Sequence, residues 1–227
     1  MTHLQTLRLR SGTVSKTLLA GLLLLGLSGA LFCALAESEQ IRAIQNRYLA
    51  TETFTARFVQ TDRRAGDSLR QATGELRYKR GMMRWHYDTP EEQLIVTNGQ
   101  TLWLYDPLLE NVTIQPLEAV ADGTALAFLL GIGDLENDFT LRPETQKLFD
   151  APQGEVVELA PFEPMANLDF LQMEVHPKTL ELQALAIADL SGNVRLIRLE
   201  QVQRDVPLDD SEFVFEVQPG MEVIRTD

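Results

Sequence analysis

The amino-acid sequence predicts a mainly β protein, because short alternating segments and turn signals follow one another along most of its length. In the segment that holds both tryptophans, Met83, Trp85 and Tyr87 share one parity, which is the period-2 pattern of a strand with one apolar face. Asn98-Gly99 lies between two apolar runs and favours a two-residue hairpin turn. We predict about ten or eleven such strands, arranged as an antiparallel sheet, sandwich or barrel.

The amino-terminal segment has the layout of a secretory signal peptide. Three basic residues and no acid precede a leucine-rich run, and Ala34-Leu35-Ala36 offers a cleavage site flanked by small residues. We therefore expect residues 1–36 to be cleaved, which leaves residues 37–227 as a single domain exported to the periplasm.

Cys33, the only cysteine of the chain, falls within this segment. Phe32 and Leu31 precede it, whereas a lipoprotein signal has small residues there, so we do not expect Cys33 to be lipidated. Cleavage removes it and leaves no thiol for an oxidising compartment to act on. The alternative is an uncleaved membrane anchor, since Thr17–Ala36 has about the length that spans a bilayer.

The mature chain is strongly acidic. The whole sequence has a formal charge of −13, and loss of the three basic residues in the signal segment lowers it to −16. Such a charge repels nucleic acid and anionic lipid surfaces. We therefore expect no nucleic-acid partner and no passive membrane association.

Few residues of the mature chain suit catalysis. Only His86 and His176 remain, and we interpret His86 as a strand residue on the polar face. The sequence contains no Gly-x-Ser-x-Gly elbow, no His-Glu-x-x-His motif and no phosphate-binding loop. We therefore expect no enzymatic activity, no metal and no cofactor, although a hydrolase with paired carboxylates stays open because acids are plentiful.

The remaining elements are predicted in chain order. Residues 37–51 place apolar side chains at helical spacing, which indicates an amphipathic helix that acts as a lid or plug. The strands follow, with the tryptophan-containing hairpin third among them: Phe54–Thr61, Gly74–Arg80, Gly81–Pro107, Glu110–Leu117, Phe139–Arg142, Val156–Phe162, Leu168–Val175, Leu180–Leu190, Val194–Val202, Phe213–Val217 and Pro219–Ile224.

Thr124–Gly133 differs from these segments, because it has no alternation and is rich in helix formers. It predicts a short helix that is apolar nearly all round and therefore needs burial on every face. Together with the methionines and aromatic residues of the strands, it suits a surface that accepts flexible apolar ligands. An ordinary core is the competing interpretation.

Several motifs resemble one known family. They span nearly all of the mature chain, with a poor match only at Asp134–Pro164, and include Phe58-Val59-Gln60, Arg84-Trp85-His86-Tyr87, Asn98-Gly99-x-x-Leu102-Trp103-x-Tyr105-Asp106-Pro107 and Phe213-x-Phe215-x-Val217-x-Pro219-Gly220. This pattern is similar to the periplasmic outer-membrane lipoprotein carrier family of the LolA type.

The resemblance implies an incomplete antiparallel β-barrel that short α-helices close as a lid over an apolar cavity. It also implies a monomeric periplasmic carrier that binds the acyl chains of lipoproteins. Its implied partners are an ATP-driven lipoprotein release complex in the inner membrane and a lipoprotein receptor in the outer membrane. Two rivals remain, a half-barrel sensor that binds lipid or a partner protein without transporting it, and an envelope hydrolase.

The resemblance also implies functional residues. An arginine that holds the lid shut corresponds to Arg80, although the family's following proline is Gly81 here. We expect six residues to line the cavity and lid and to contact lipid: Met83, Trp85, Tyr87, Phe128, Leu129 and Ile132.

Overall fold

The computed structural model describes residues 39–64, 69–121, 134–165 and 167–226. Within these ranges helix α1 covers residues 39–49, which confirms the predicted amino-terminal helix. Two shorter helices follow, α2 (Glu118–Ala121) and α3 (Leu135–Asp138). None of the described helices is both long enough and apolar enough to cross a membrane.

Twelve strands of the described chain form one sheet, which confirms the mainly β fold class. Strands β1 to β6 pair in chain order, β7 to β11 do the same, and an antiparallel β1–β11 pairing joins the two halves. β12 adds to β6 in parallel. The strand bounds are as follows: β1 (Thr53–Arg63), β2 (Arg70–Lys79), β3 (Met82–Thr89), β4 (Gln93–Thr97), β5 (Thr101–Asp106), β6 (Asn111–Pro116), β7 (Phe139–Arg142), β8 (Glu155–Pro161), β9 (Phe170–Val175), β10 (Leu182–Ala188), β11 (Val194–Arg204) and β12 (Glu222–Arg225).

The sheet is curled into an open half-barrel. Met83 on β3 and Met173 on β9 line the same small cavity, although four strands lie between them in the sheet order. In a flat sheet these five steps would separate the two residues by about 24 Å. The face that bears Met83 and Met173 is therefore concave, and we call it the inner face.

Two hairpin turns of the first half differ from the sequence prediction. Asn98 and Gly99 do lie in the β4–β5 turn, but three residues rather than two separate the strands. The Asn98 side chain accepts hydrogen bonds from the backbone N–H groups of Gln100 and Thr101, and these two hydrogen bonds stabilise the three-residue turn. The two-residue turn is instead Arg80-Gly81, where Gly81 has a φ of 77°.

The predicted strand Phe213–Val217 is wrong. A 3-10 turn covers Asp210–Phe213, and no strand follows before β12 in the described chain. Asp209 starts the turn through a capping box with Glu212, and Phe213 ends it fully buried. Phe213 is fully buried, and the Phe215 ring centroid lies 4.9 Å from that of Tyr105. Their alternation therefore reflects an irregular segment that packs against the sheet rather than a strand.

The poorly matching segment Asp134–Pro164 forms α3, β7 and β8, with an intervening loop over residues 143–154. This loop buries Leu148 and Phe149 against β9 and β10 on the outer face of the sheet. The buried carboxylate of Glu158 anchors the loop by accepting hydrogen bonds from the Thr145 backbone and hydroxyl. The second half of the half-barrel is therefore covered on its outer side.

Candidate functional site

An aromatic cluster occupies the inner face of the first half. Met83 and Trp85 are only 1% and 4% exposed, and Tyr87 is half-buried beside them. Phe58 on β1 joins them, because its ring centroid lies 4.8 Å from that of Trp85 and 5.0 Å from that of Tyr87. The three predicted β3 residues therefore share one apolar face, and their contact with lipid stays a prediction.

This cluster borders a cavity of about 200 Å³, which we call the tryptophan cavity. β3, β4, β5, β10 and β11 supply its apolar lining, while Gln60 and Arg195 add polar groups. Apolar pockets that enclose drug-sized ligands hold about 300–1,000 Å³. The tryptophan cavity therefore suits part of an acyl lipid rather than the whole molecule. Its apolar lining residues are Met83, Trp85, Tyr87, Ile95, Leu102, Leu104, Ile187 and Ile197.

A chain of hydrogen bonds runs along the polar side of the tryptophan cavity. The Tyr87 hydroxyl donates to Gln60 Oε1 at 2.9 Å, and Gln60 Nε2 donates to the Asp62 carboxylate at 3.1 Å. Arg195 Nε donates to the same carboxylate at 2.8 Å. Burial raises the pKa of Tyr87 to about 12, so its hydroxyl remains protonated at physiological pH. The indole N–H of Trp85 is buried and has no acceptor among the described residues.

Helix α1 crosses the inner face and covers a second cavity, which we call the helix cavity. Ile44 of α1 and Met173 of β9 line it together with Tyr78 of β2. Its volume is about 40 Å³, enough for a few water molecules and too little for an acyl chain. An acyl chain could occupy this region only if α1 moved away from the sheet.

The apolar face of α1 packs on the inner face of both halves. Ile41 and Ile44 are buried in the cluster formed by β7 to β10. Tyr48 lies over the first half, with its ring centroid 5.7 Å from that of Tyr78. The helix thus bridges the two sides of the half-barrel.

Polar side chains attach α1 to the second half of the half-barrel. Arg47 pairs with Glu181, and Arg204 of β11 pairs with the same carboxylate at 2.8 Å. Burial raises the pKa of Glu181, but hydrogen bonding to Arg47 and the charge of Arg204 outweigh it, so the net shift of the pKa is downward. At the other end of the helix, Arg42 Nε donates to Glu136 of α3 at 3.0 Å. The Arg42–Glu136 pair is the more exposed of these attachments and is therefore weak, whereas the side chains of Arg47, Glu181 and Arg204 are only 26–35% exposed.

Arg80 lies in the β2–β3 turn, close to the end of α1. Its guanidinium pairs with Glu52 at 2.7 Å, and its backbone N–H donates to the Glu52 carbonyl at 2.9 Å. Glu52 lies three residues after the end of α1, so Arg80 contacts the segment that connects this helix to β1. A proline could not occupy position 81 in this conformation, because proline fixes φ near −65° and Gly81 has a φ of 77°.

The other predicted lid residues, Phe128, Leu129 and Ile132, lie outside the described residues. Conversely, the sequence-based prediction did not include Gln60 and Arg195 among the site residues. Gln60 carried a usable signal, since it continues the buried parity of β1 after three apolar residues. Arg195 carried none, because its role depends on the pairing of β11 with β1.

His86 lies on β3 with its Nε2 atom 3.0 Å from the Glu92 carboxylate. Both side chains are partly exposed. Within residues 39–64, 69–121, 134–165 and 167–226, no group of three or more histidine, cysteine, aspartate or glutamate residues is arranged to hold a metal ion.

Comparison with known proteins identifies the relatives of this half-barrel. Residues 50–216 match the family described as "Outer membrane lipoprotein carrier protein LolA". An outer-membrane lipoprotein carrier protein of Pseudomonas paraeruginosa is 31% identical over 212 residues, covering 92% of this chain and 98% of its own length. A protein of the same name from Alkalilimnicola ehrlichii is 34% identical over 218 residues, covering 92% of this chain and 95% of its own.

Among solved structures, an uncharacterized conserved protein from Thermus thermophilus shares the fold. The TM-score is 0.53 at 13% identity, and the match covers 82% of this chain and 98% of that one. This likeness concerns the fold alone.

Proposed function

Since this chain belongs to the LolA family of outer-membrane lipoprotein carriers, we propose that it binds the acyl chains of lipoproteins in the periplasm. It receives them from an ATP-driven release complex in the inner membrane and delivers them to an outer-membrane receptor. The working form is the monomeric domain of residues 37–227 after cleavage of the signal peptide, and it uses no cofactor and catalyses no reaction.

The observation that carries this proposal is an apolar inner face with an amphipathic helix laid across it. Met83 and Trp85 are buried there beside the tryptophan cavity, whereas in an ordinary close-packed core side chains would fill this volume. Ile41 and Ile44 of α1 cover the neighbouring part of the same face. The half-barrel therefore combines a preformed apolar cavity with a removable cover.

The energetics favour a cover that competes with the ligand. Each buried methylene contributes about 0.8 kcal/mol, so full burial of one sixteen-carbon chain would contribute roughly 12 kcal/mol. Binding of that strength would prevent release, and the sequence contains no nucleotide-binding loop to drive it. Contacts between α1 and the sheet that are lost on loading offset part of this energy.

In this proposal the lid consists of α1 and the segment Thr124–Gly133, from which Phe128, Leu129 and Ile132 contact lipid. Arg80 restrains the lid, and its ion pair with Glu52 beside the end of α1 supports that role. Loading breaks the contacts of the lid with the sheet, and delivery to the receptor restores them.

Native mass spectrometry of the protein purified from periplasm tests the proposal. We expect a fraction of the protein to carry one lipoprotein, and the extra mass should disappear when lipoprotein acylation is blocked. Depletion of the protein should leave lipoproteins in the inner membrane. If depletion instead changes only an envelope stress response and no acylated protein co-purifies, the chain is a sensor rather than a carrier.

A further inference from the structure

The polar side of the tryptophan cavity has a fixed hydrogen-bond direction. The Asp62 carboxylate can only accept, so the amide nitrogen of Gln60 faces it at 3.1 Å. Gln60 Oε1 therefore accepts from the Tyr87 hydroxyl at 2.9 Å. In this series of hydrogen bonds the Tyr87 hydroxyl, the Gln60 amide and Arg195 Nε each have an acceptor within the protein.

Trp85 is the exception within this cavity lining. Its side chain is more than nine-tenths buried, and its indole N–H has no acceptor among the described residues. Tryptophan can only donate through this group, and a buried donor without a partner costs about 1–3 kcal/mol. The indole nitrogen has almost no accessible surface in the empty protein, so a ligand that brings an acceptor into the cavity removes this cost once the side chains around the nitrogen shift to admit it.

The methylenes of an acyl chain bring no acceptor, but the linkage that attaches the chain does. An ester or amide carbonyl is followed directly by apolar methylenes, and the cavity shows the same succession. Its polar groups Gln60 and Arg195 border an apolar wall that includes Leu102 and Leu104. Arg195 is about half exposed, so this polar side reaches solvent, where the protein part of a lipoprotein would emerge.

We propose that the tryptophan cavity binds the acyl linkage of the cargo, with the indole N–H of Trp85 donating a hydrogen bond to an ester or amide carbonyl. The inference rests on the proposed acyl-carrier function and assigns a polar contact within it. Trp85 thereby distinguishes acylated molecules from other apolar molecules of similar shape and fixes the depth to which the chains enter.

Two matched lipopeptides test this assignment. One carries two ester-linked palmitoyl chains on the S-glyceryl group of its cysteine, and the other carries two ether-linked hexadecyl chains at the same positions. The amino group is free in both, so the ester carbonyls are the main chemical difference. We expect the unaltered mature protein to bind the ester form about 2- to 10-fold more tightly, which corresponds to one net hydrogen bond.

The variant Trp85→Phe should lose this preference, because phenylalanine keeps an aromatic ring and lacks the donor. Trp103→Phe is the matched control, since Trp103 is one position out of phase with the cavity residues Leu102 and Leu104 and so faces the other side of the sheet. It should retain the preference. An equal ester preference in Trp85→Phe, or none in the unaltered protein, overturns the inference.

Nuclear magnetic resonance of the unaltered protein provides a second readout that needs no folded variant at position 85. The two indole N–H signals are assigned with Trp103→Phe, and the ester lipopeptide should shift the Trp85 proton downfield while the ether lipopeptide does not. A Trp85 proton already shifted downfield in the empty protein, and unmoved by either lipopeptide, would show an acceptor elsewhere in the chain and overturn the inference. If both lipopeptides bind equally, only this inference fails. If neither binds, the proposed carrier function fails with it.

Discussion

Truncation of Ile44 tests whether α1 is a displaceable cover. Ile44 is 2% exposed and packs against the second half of the half-barrel, so Ile44→Ala should remove about 2–5 kcal/mol of packing energy. If α1 must leave the sheet before an acyl chain enters, the apparent dissociation constant equals the intrinsic one divided by the open fraction. Each 1.4 kcal/mol lost from the closed state then tightens binding about tenfold, until the open form predominates.

The assay is calorimetric titration with the diacyl lipopeptide, combined with hydrogen exchange of residues 39–49. Leu148→Ala is the matched control, because Leu148 is also 2% exposed but belongs to the outer-face cluster away from α1. We expect Ile44→Ala to bind at least tenfold more tightly and to exchange faster in α1, while Leu148→Ala loses stability and keeps its affinity. Weaker binding by Ile44→Ala, or equal affinity changes in both variants, would refute displacement of the helix.

Three further predictions concern the lid restraint, the outer loop and export. Arg80→Leu should leave the melting temperature nearly unchanged, because the ion pair of Arg80 is exposed. The variant should nevertheless speed hydrogen exchange in α1 and increase the affinity for the lipopeptide. Unchanged exchange and affinity would exclude Arg80 as a restraint on the lid. Burial raises the pKa of Glu158, but hydrogen bonds from Gln172 and Thr145 outweigh it, so the net pKa lies below the ordinary 4.5. The ionised carboxylate therefore stabilises the fold above about pH 4.5, and this contribution is lost as the pH falls through the lowered pKa. In urea unfolding from pH 7 to pH 3, the free energy of unfolding should fall more steeply for the unaltered protein than for Glu158→Gln. Parallel curves would contradict the anchor role of Glu158. Finally, the intact mass of the exported protein should correspond to a chain beginning at Glu37, and a mature chain that retains Cys33 would contradict cleavage.

Local patterns predicted much of the fold. The parity of Met83, Trp85 and Tyr87 identified the inner face of β3, because successive side chains on a strand point to opposite faces. The spacing of Ile41 and Ile44 likewise identified the buried side of α1. These features depend only on residues close in sequence, which is why they could be recognised without the structure.

The features that were missed have two causes, one local turn and several contacts between distant residues. Phe213 and Phe215 alternate like strand residues, but the capping box at Asp209 starts a turn instead. The polar chain of the tryptophan cavity joins Asp62 to Arg195, two residues 133 positions apart that meet only because β1 pairs with β11. No short sequence window contains both residues, so neither their contact nor the unpaired donor beside them could be predicted from local pattern.

The contacts of α1 with the sheet are too weak to offset the full burial energy of an acyl chain. Fully burying an isoleucine contributes about 1.5–3 kcal/mol, so Ile41 and Ile44 together offset roughly 3–6 kcal/mol when α1 is displaced. One sixteen-carbon chain offers roughly 12 kcal/mol on full burial, and a lipoprotein has more than one chain. Under the proposed function, most of the difference comes from acyl carbons that never leave water completely or from contacts with the proposed receptor. The small volume of the tryptophan cavity, about 200 Å³, agrees with the first source, because it encloses only the beginning of a chain. Under the proposed function, such a carrier holds its cargo by the acyl linkage and the first methylenes, and α1 closes over the inner face again when the chain departs.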